Sequence, residues 1–344
     1  MLRFSQRNHV AGILALAIPL LSHMFLIEPK PVQAAASKRS MTVEARSFFD
    51  QGKAQFAAKK YKEAQASFAK ACQISSRSDS AQYYLGMAAL YAGNHRLFID
   101  CMTRVVVMNK LKNSIIAKNA LVNILKYSRL HPYCALNSQE QLCRWDTRRH
   151  PVLQICVSQG LALPPQYQGK SLNITEIKEF RRLFQTGTFV QSLVKEPTFK
   201  SYQAQNAVSA LRKWDWAIRE GLFKYAFTND PGKADILVLW TPRFRAGGGM
   251  EGLTNYFGTN KPGQGKVIIQ LNTAGLSASK GNAYAQLMAA HEFGHAFGLG
   301  SHSPGADDIM TAKIYYDSDK AHGISENDKA VLRAVYSLDP DNAW

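Results

Sequence analysis

Apolar and polar residues near the front of the chain alternate at helical spacing, and the pattern returns after 34 positions. Gly52, Ala54, Phe56, Tyr61, Ala64, Phe68 and Ala71 form one unit, and Gly86, Ala88 and Leu90 stand 34 residues after Gly52, Ala54 and Phe56. Lys59-Lys60 and then Gly93-Asn94 punctuate the two units as turns. This period and mixture of small and large residues predict paired antiparallel helices: the small positions let backbones approach and the large ones fill the gap. The second unit departs from the first, with Phe98 and Met102 where Ala64 and Phe68 stand. A third helix pair beginning at Asn113 and running through Arg129 would close the open end of the stack.

Regularity then stops. His131-Pro132, His150-Pro151, Pro164-Pro165 and Gln168-Gly169 interrupt residues 131–170, which read as a connector with a domain boundary near 170. Beyond it, a helix is predicted over Asn173–Phe184, capped by Thr175. A stronger one covers Gln203–Gly221, where Ala207, Leu211, Trp214 and Ile218 share a face. Ala234–Trp240, after the Pro231-Gly232 turn, is an uninterrupted apolar strand suited to the centre of a sheet. Lys266–Asn272 is a second strand. Tyr284–Phe297 contains no proline and reads as a helix. A last helix spans Lys329–Tyr336, with Ser325 as its cap and Asp328 in its first turn. The glycine-rich stretch Arg245–Gly252 between the strands lacks the lysine and hydroxyl residue of a phosphate-binding loop, which argues against a nucleotide site.

Candidate chemistry is concentrated in His291-Glu292-Phe293-Gly294-His295. One helical turn separates His291 from His295, so both imidazoles can reach one ion. Glu292 is adjacent but cannot share the first histidine's ligand position, and is placed to take a proton from water at the metal. Taken alone, two helix histidines could equally make ordinary hydrogen bonds. Here Gly298 offers an exit from the helix, His302 supplies a third imidazole from the following loop, and Met310 follows a turn-rich segment. Three imidazoles suit Zn2+, which in catalytic sites keeps three protein ligands and a water.

His291–His302, Met310 and the closing Ile324–Tyr336 segment resemble the metzincin zinc peptidases, most closely their matrixin-like branch, and the element order over roughly 205–340 resembles it too. The resemblance implies an α+β zinc-peptidase domain over 171–344, with a twisted mixed sheet, a zinc-binding helix, His291, His295 and His302 as metal ligands and Glu292 as general base. The activity implied is a zinc-dependent metalloendopeptidase acting on a peptide or protein substrate. In the family a strand just before the zinc helix is an edge that pairs with extended substrate; if Lys266–Asn272 is that edge, main-chain pairing would bind peptides with little sequence preference, and the sequence leaves its place in the sheet open. Two departures stand out. The third histidine comes eleven residues after the first where the family has ten, with Ser301 in the loop; Asp307 or Asp308 is the oxygen ligand within reach if the longer loop carries His302 away. Ala312 stands where some members have a tyrosine, and Tyr315 or Tyr316 would line the specificity pocket or simply pack. Residues 45–112 are similar to tetratricopeptide repeats, which implies a protein partner along a concave face; an inhibitory prodomain is the other role open to this all-α region, taken as 45–130.

Charge separates the two halves. Residues 1–170 carry 23 Lys/Arg against 8 Asp/Glu, whereas 171–344 carry 19 against 17, within a chain of formal net charge +17. The basic front suggests an anionic surface or acidic partner, or a merely solvated face, and nothing resembles a nucleic-acid module. At the start, Arg3 and Arg7 precede an apolar run from Val10 to Ile27. Small residues follow at Val32-Gln33-Ala34 and Ala34-Ala35-Ala36, so residues 1–36 read as a signal peptide or, uncleaved, an N-terminal anchor, and the protein as secreted or held at the cell envelope. Cys134, Cys143 and Cys156 could supply one disulfide there; Cys72 and Cys101 read as small buried residues. The competing reading is an envelope scaffold with a vestigial metal site, and a hydrolase of a non-protein envelope polymer is a third.

Overall fold

The computed structural model describes residues 41–108, 112–124, 131–244, 252–257, 265–273, 281–312 and 323–344. The predicted signal segment, most of the glycine-rich loop, Tyr315 and Tyr316, and the second helix of the third pair lie outside the described residues. No helix among the described residues is long and apolar enough to cross a membrane.

The front half is a stack of helices: α1 (Val43–Ala57), α2 (Tyr61–Ile74), α3 (Asp79–Tyr91), α4 (His95–Met108) and α5 (Lys112–Ile124), each packed on the next. Thr42, Ser78 and Asn94 accept hydrogen bonds from the amides of Ala45, Ala81 and Leu97, each at 3.2 Å, and so cap α1, α3 and α4. The same packing device recurs 34 residues apart. A Cβ on Gly52 would lie 2.7 Å from the Phe68 ring, and one on Gly86 would lie 2.5 Å from the Met102 methyl. The turns match as well, Lys59 and Gly93 both adopting positive φ, 60° and 81°. Cys72 and Cys101 are buried in this stack, and all five cysteines are free thiols, so the disulfide considered among the last three is not formed.

The back half is α+β. Five strands, β5 (Tyr225–Phe227), β2 (Leu153–Val157), β6 (Ile236–Thr241), β8 (Lys266–Asn272) and β7 (Gly252–Phe257), form a sheet in that spatial order. All pairs are parallel except β7–β8. Every residue of β6 is buried because both sheet faces are covered. Ile236, Val238 and Trp240 face the larger core with α8 (Ser201–Arg212) and α10 (Gly281–Ala296), while Leu237 and Leu239 face Phe180 of α6 (Ile174–Thr186) and Phe189 of α7 (Phe189–Ser192).

One question that the sequence left open is answered, and three expectations need correction. Lys266–Asn272 is not the sheet edge: it lies between β6 and β7, and β7 is the edge, its middle four residues only partly buried. The segment 131–170 is more than a connector. Besides supplying β2 at an interior position, it contains β1 (Cys143–Arg144), which pairs with the C-terminal β9 (Asn342–Ala343), and buries Trp145 completely. Its prolines lie outside these short strands, so punctuation masked them. α6 is capped by Asn173 and not Thr175, with Glu176 closing a capping box, a pair worth about 1 kcal/mol. The Gln203–Gly221 helix breaks into α8 and α9 (Asp215–Arg219) at Trp214, whose indole turns inward and donates to Ala290 O at 3.0 Å.

The halves share structure. Val107 and Met108 of α4 join the larger core, and α4 packs on α11 (Glu326–Ser337). Arg77 reaches the Asp341 carboxylate and the Asp339 carbonyl, both at 3.0 Å, and Arg104 reaches Ser337 at 2.9 Å. A chain beginning at residue 171 therefore loses an interior strand. It is expected to show no cooperative thermal transition, whereas the intact chain shows one; a sharp transition in the shortened chain, followed by circular dichroism, would contradict this account of the sheet.

Candidate metal centre

The helix that bears the first two histidines is buried almost all round, so its last carbonyls need partners from the protein. Tyr256 of β7 donates its hydroxyl to His295 O at 2.8 Å, and Trp145 donates its indole N–H to Ala296 O at 2.8 Å. Tyr256 is itself held by Trp344, the rings stacked 4.8 Å apart. Gly298 ends the helix with φ +111°, and a Cβ there would lie 2.7 Å from Cys143 O. Here glycine is required by both conformation and space.

After the exit the chain doubles back beneath the helix. Gly300 N donates to Ala135 O at 3.0 Å, and Ser303 N to Met310 O at 2.7 Å. Met310 is fully buried, its sulfur so close to Gly294 that a Cβ on that glycine would collide with it. The methionine thus lies under the helical turn between the two histidines.

His291, His295 and His302 come together: one ring nitrogen from each lies within 4.8 Å of the others, and the ring centroids are 4.7–5.2 Å apart. The added loop residue does not withdraw His302. His291 Nδ1 donates to Ile309 O at 2.8 Å and His295 Nδ1 to Leu299 O at 2.6 Å. These bonds fix the tautomers, leaving each Nε2 lone pair free. Burial pushes His291 down to about 4, with the nearby His302 adding to the effect. Burial also holds His295 well below the ordinary imidazole range, followed by the charges of His291 and His302, and lowers His302. Three neutral imidazoles with convergent lone pairs are a donor set that fits zinc. Asp308 is engaged elsewhere, with Ser303 Oγ and with Asn327 Nδ2 at 3.1 Å, and Asp307 is outside the cluster.

Glu292 is 4% exposed, although it carries a carboxylate. Burial pushes it up to about 7, opposed by the Thr254 hydroxyl, which donates to Oε2 at 2.6 Å. A dication on the imidazoles would pull it back down. On the same strand Gly252 leaves room for the other oxygen: a Cβ there would lie 2.6 Å from Glu292 Oε1. Sequence reasoning missed Gly252, Thr254 and Tyr256. The signal was present in Gly252-Leu253-Thr254-Asn255-Tyr256-Phe257, a short run rich in β-branched and aromatic residues.

Residues 192–337 match the family model of the matrixins. No curated protein matches the chain. The match to the matrixin model and the three-histidine cluster together support a zinc metallopeptidase in general terms. Purified chain is expected to hold one zinc, and His302→Ala to bind it more weakly by over about 100-fold, since even the outer partner of a ligand is worth 10–100-fold. Competition with a chromogenic chelator measures this; equal affinity in the variant would exclude His302 as a ligand.

Proposed function

We propose that this chain, which carries a matrixin domain, is a zinc-dependent endopeptidase with Glu292 as its general base. The observation that carries the proposal is a buried carboxylate beside three convergent imidazoles, one oxygen held by Thr254 and the other facing the space that Gly252 leaves open.

His291, His295 and His302 would hold the ion. Zinc, when bound, polarises the scissile carbonyl and makes a water nucleophilic near neutral pH. The remaining work falls to the chain. Glu292 accepts a proton from the attacking water and later passes it to the leaving amine nitrogen. Thr254 fixes the rotamer of that carboxylate, and the apolar burial that disfavours its charge favours proton uptake. The β7 edge has β8 as its only strand partner among the described residues, so its outer main-chain groups suit pairing with an extended peptide. Such pairing binds through the backbone and implies little dependence on substrate side chains. Export completes the reading, supported by the basic and then apolar residues at the start of the chain.

Digestion of a diverse peptide pool, with and without chelator, tests the proposal. Cleavage within peptides should require zinc, and Glu292→Gln should keep the metal while losing about 10²–10⁴-fold in turnover. Hydrolysis by that variant at the wild-type rate would remove Glu292 from the mechanism. Gly252→Ala should also retain zinc and lose about 10–100-fold, because the added carbon displaces Glu292. Unchanged kcat/KM in that variant would show that the carboxylate needs no such clearance.

A further inference from the structure

The segment that leaves the helical half, residues 131–136, runs directly behind the metal loop. It is anchored at one end to the helical stack, Ala135 N donating to Val107 O of α4 at 3.2 Å. From there it touches the loop once directly and twice through the first turn of α11. Ala135 O accepts from Gly300 N at 3.0 Å, two residues before His302. His131 N donates to Asn327 Oδ1 at 2.6 Å, and Asn327 Nδ2 donates to Asp308. Tyr133, 1% exposed, donates its hydroxyl at 2.7 Å to Oδ1 of the fully buried Asp328. The other oxygen, Oδ2, accepts from Ile309 N at 2.9 Å, and Ile309 O is the acceptor for His291 Nδ1.

We propose that Tyr133 is a positioning residue for the metal site: through Asp328 it fixes the Ile309 peptide that orients His291, which makes the helical half a built-in brace of the metal site. The physical case rests on burial. A carboxylate with no access to water must have its acceptor capacity filled by the protein, and Asp328 fills it with Tyr133, Ile309 N and Ser325. Removing the tyrosine oxygen leaves Oδ1 without that donor, and the carboxylate can then rotate or draw in water. Either movement slackens its hold on Ile309 N and hence on the carbonyl seat of His291. Outer-shell partners of metal-bound histidines act on affinity in this way. An inhibitory prodomain that must depart would not bury its last residues in the support of the site it blocks. The inference rests on the zinc reading above.

The test uses the full chain and zinc alone. Tyr133→Phe removes one oxygen and little volume. It is expected to bind zinc about 3–10-fold more weakly in chelator competition, a fraction of the 10–100-fold seen for direct outer partners. Amide exchange at Ile309 should quicken while exchange in α1–α3 stays unchanged. Asn327→Ala, at a partly exposed position where folding is retained, should weaken zinc by a similar factor through the second tie. A double-mutant cycle of Tyr133→Phe with Asp328→Asn should be non-additive, because both act through one hydrogen bond. Wild-type zinc affinity in both Tyr133→Phe and Asn327→Ala, or strict additivity in the cycle, would overturn the brace while leaving the zinc reading intact. A wild-type chain that binds no zinc would instead remove that reading, and the brace with it.

Discussion

Two backbone carbonyls, those of Leu299 and Ile309, take the Nδ1 protons of His295 and His291 and so decide where the remaining nitrogens point. An imidazole in a buried site has two ways to present a lone pair, and only one is productive for a shared ion. The helix sets His291 and His295 one turn apart, but spacing alone leaves each ring free to rotate and to exchange tautomers. Both carbonyls belong to the segment after the helix, the one that carries His302. The loop therefore contributes the third ligand and the orientation of the first two. Burial acts in the same direction, since desolvation keeps the rings neutral and their lone pairs available.

That arrangement demands a rigid exit from the helix, and the exit is built from distant pieces of chain. Tyr256 comes from the edge strand, Trp145 from the segment before the sheet, and the carbonyls of Ala135 and Cys143 crowd Gly300 and Gly298. Each contact satisfies a main-chain group at the end of a buried helix or excludes a side chain from a tight turn. A helix placed this deep cannot leave its last carbonyls to water, so the polar tips of aromatic residues take that role. The edge strand serves both ends of the chemistry: Thr254 holds Glu292, and Tyr256 holds the carbonyl of His295.

The metal site was legible in the sequence because its signals are local. His291, Glu292 and His295 lie within one turn, Gly298 marks the exit, and His302 and Met310 follow within twenty residues of the first histidine. The continuous apolar run of β6 and the 34-residue helical spacing were legible for the same reason. What escaped was the residue whose meaning lies in a partner far along the chain. Nothing near Tyr133 points to Asp328, 195 residues away. Thr254 looks like any strand threonine until Glu292 lies against it. β2 was hidden by the prolines on either side of it, and the edge could not be read because nearness in sequence to the histidine-bearing helix is not nearness to the rim of the sheet. β8 is buried on both faces, although Gln270 and Asn272 make one of them polar, and it lies between β6 and β7.

The helical half and the sheet half meet for a reason common to stacked helices. Each helical hairpin hides one face against its neighbour, so the last one exposes an apolar face unless something else covers it. Here α4 rests against α11, and Val107 and Met108 enter the same core as Phe293, Phe297 and Met310. The cover of the stack is thus the helix that follows the metal loop, and its N-terminal capping box contains Asp328. One helix closes the helical stack along its length and holds the histidine loop at its start. Movement of the stack relative to the sheet would be transmitted to α11, and through the Asp328 carboxylate to the Ile309 peptide. In this structure the helical region reaches the histidines through packing on α11 and the hydrogen bonds at its start.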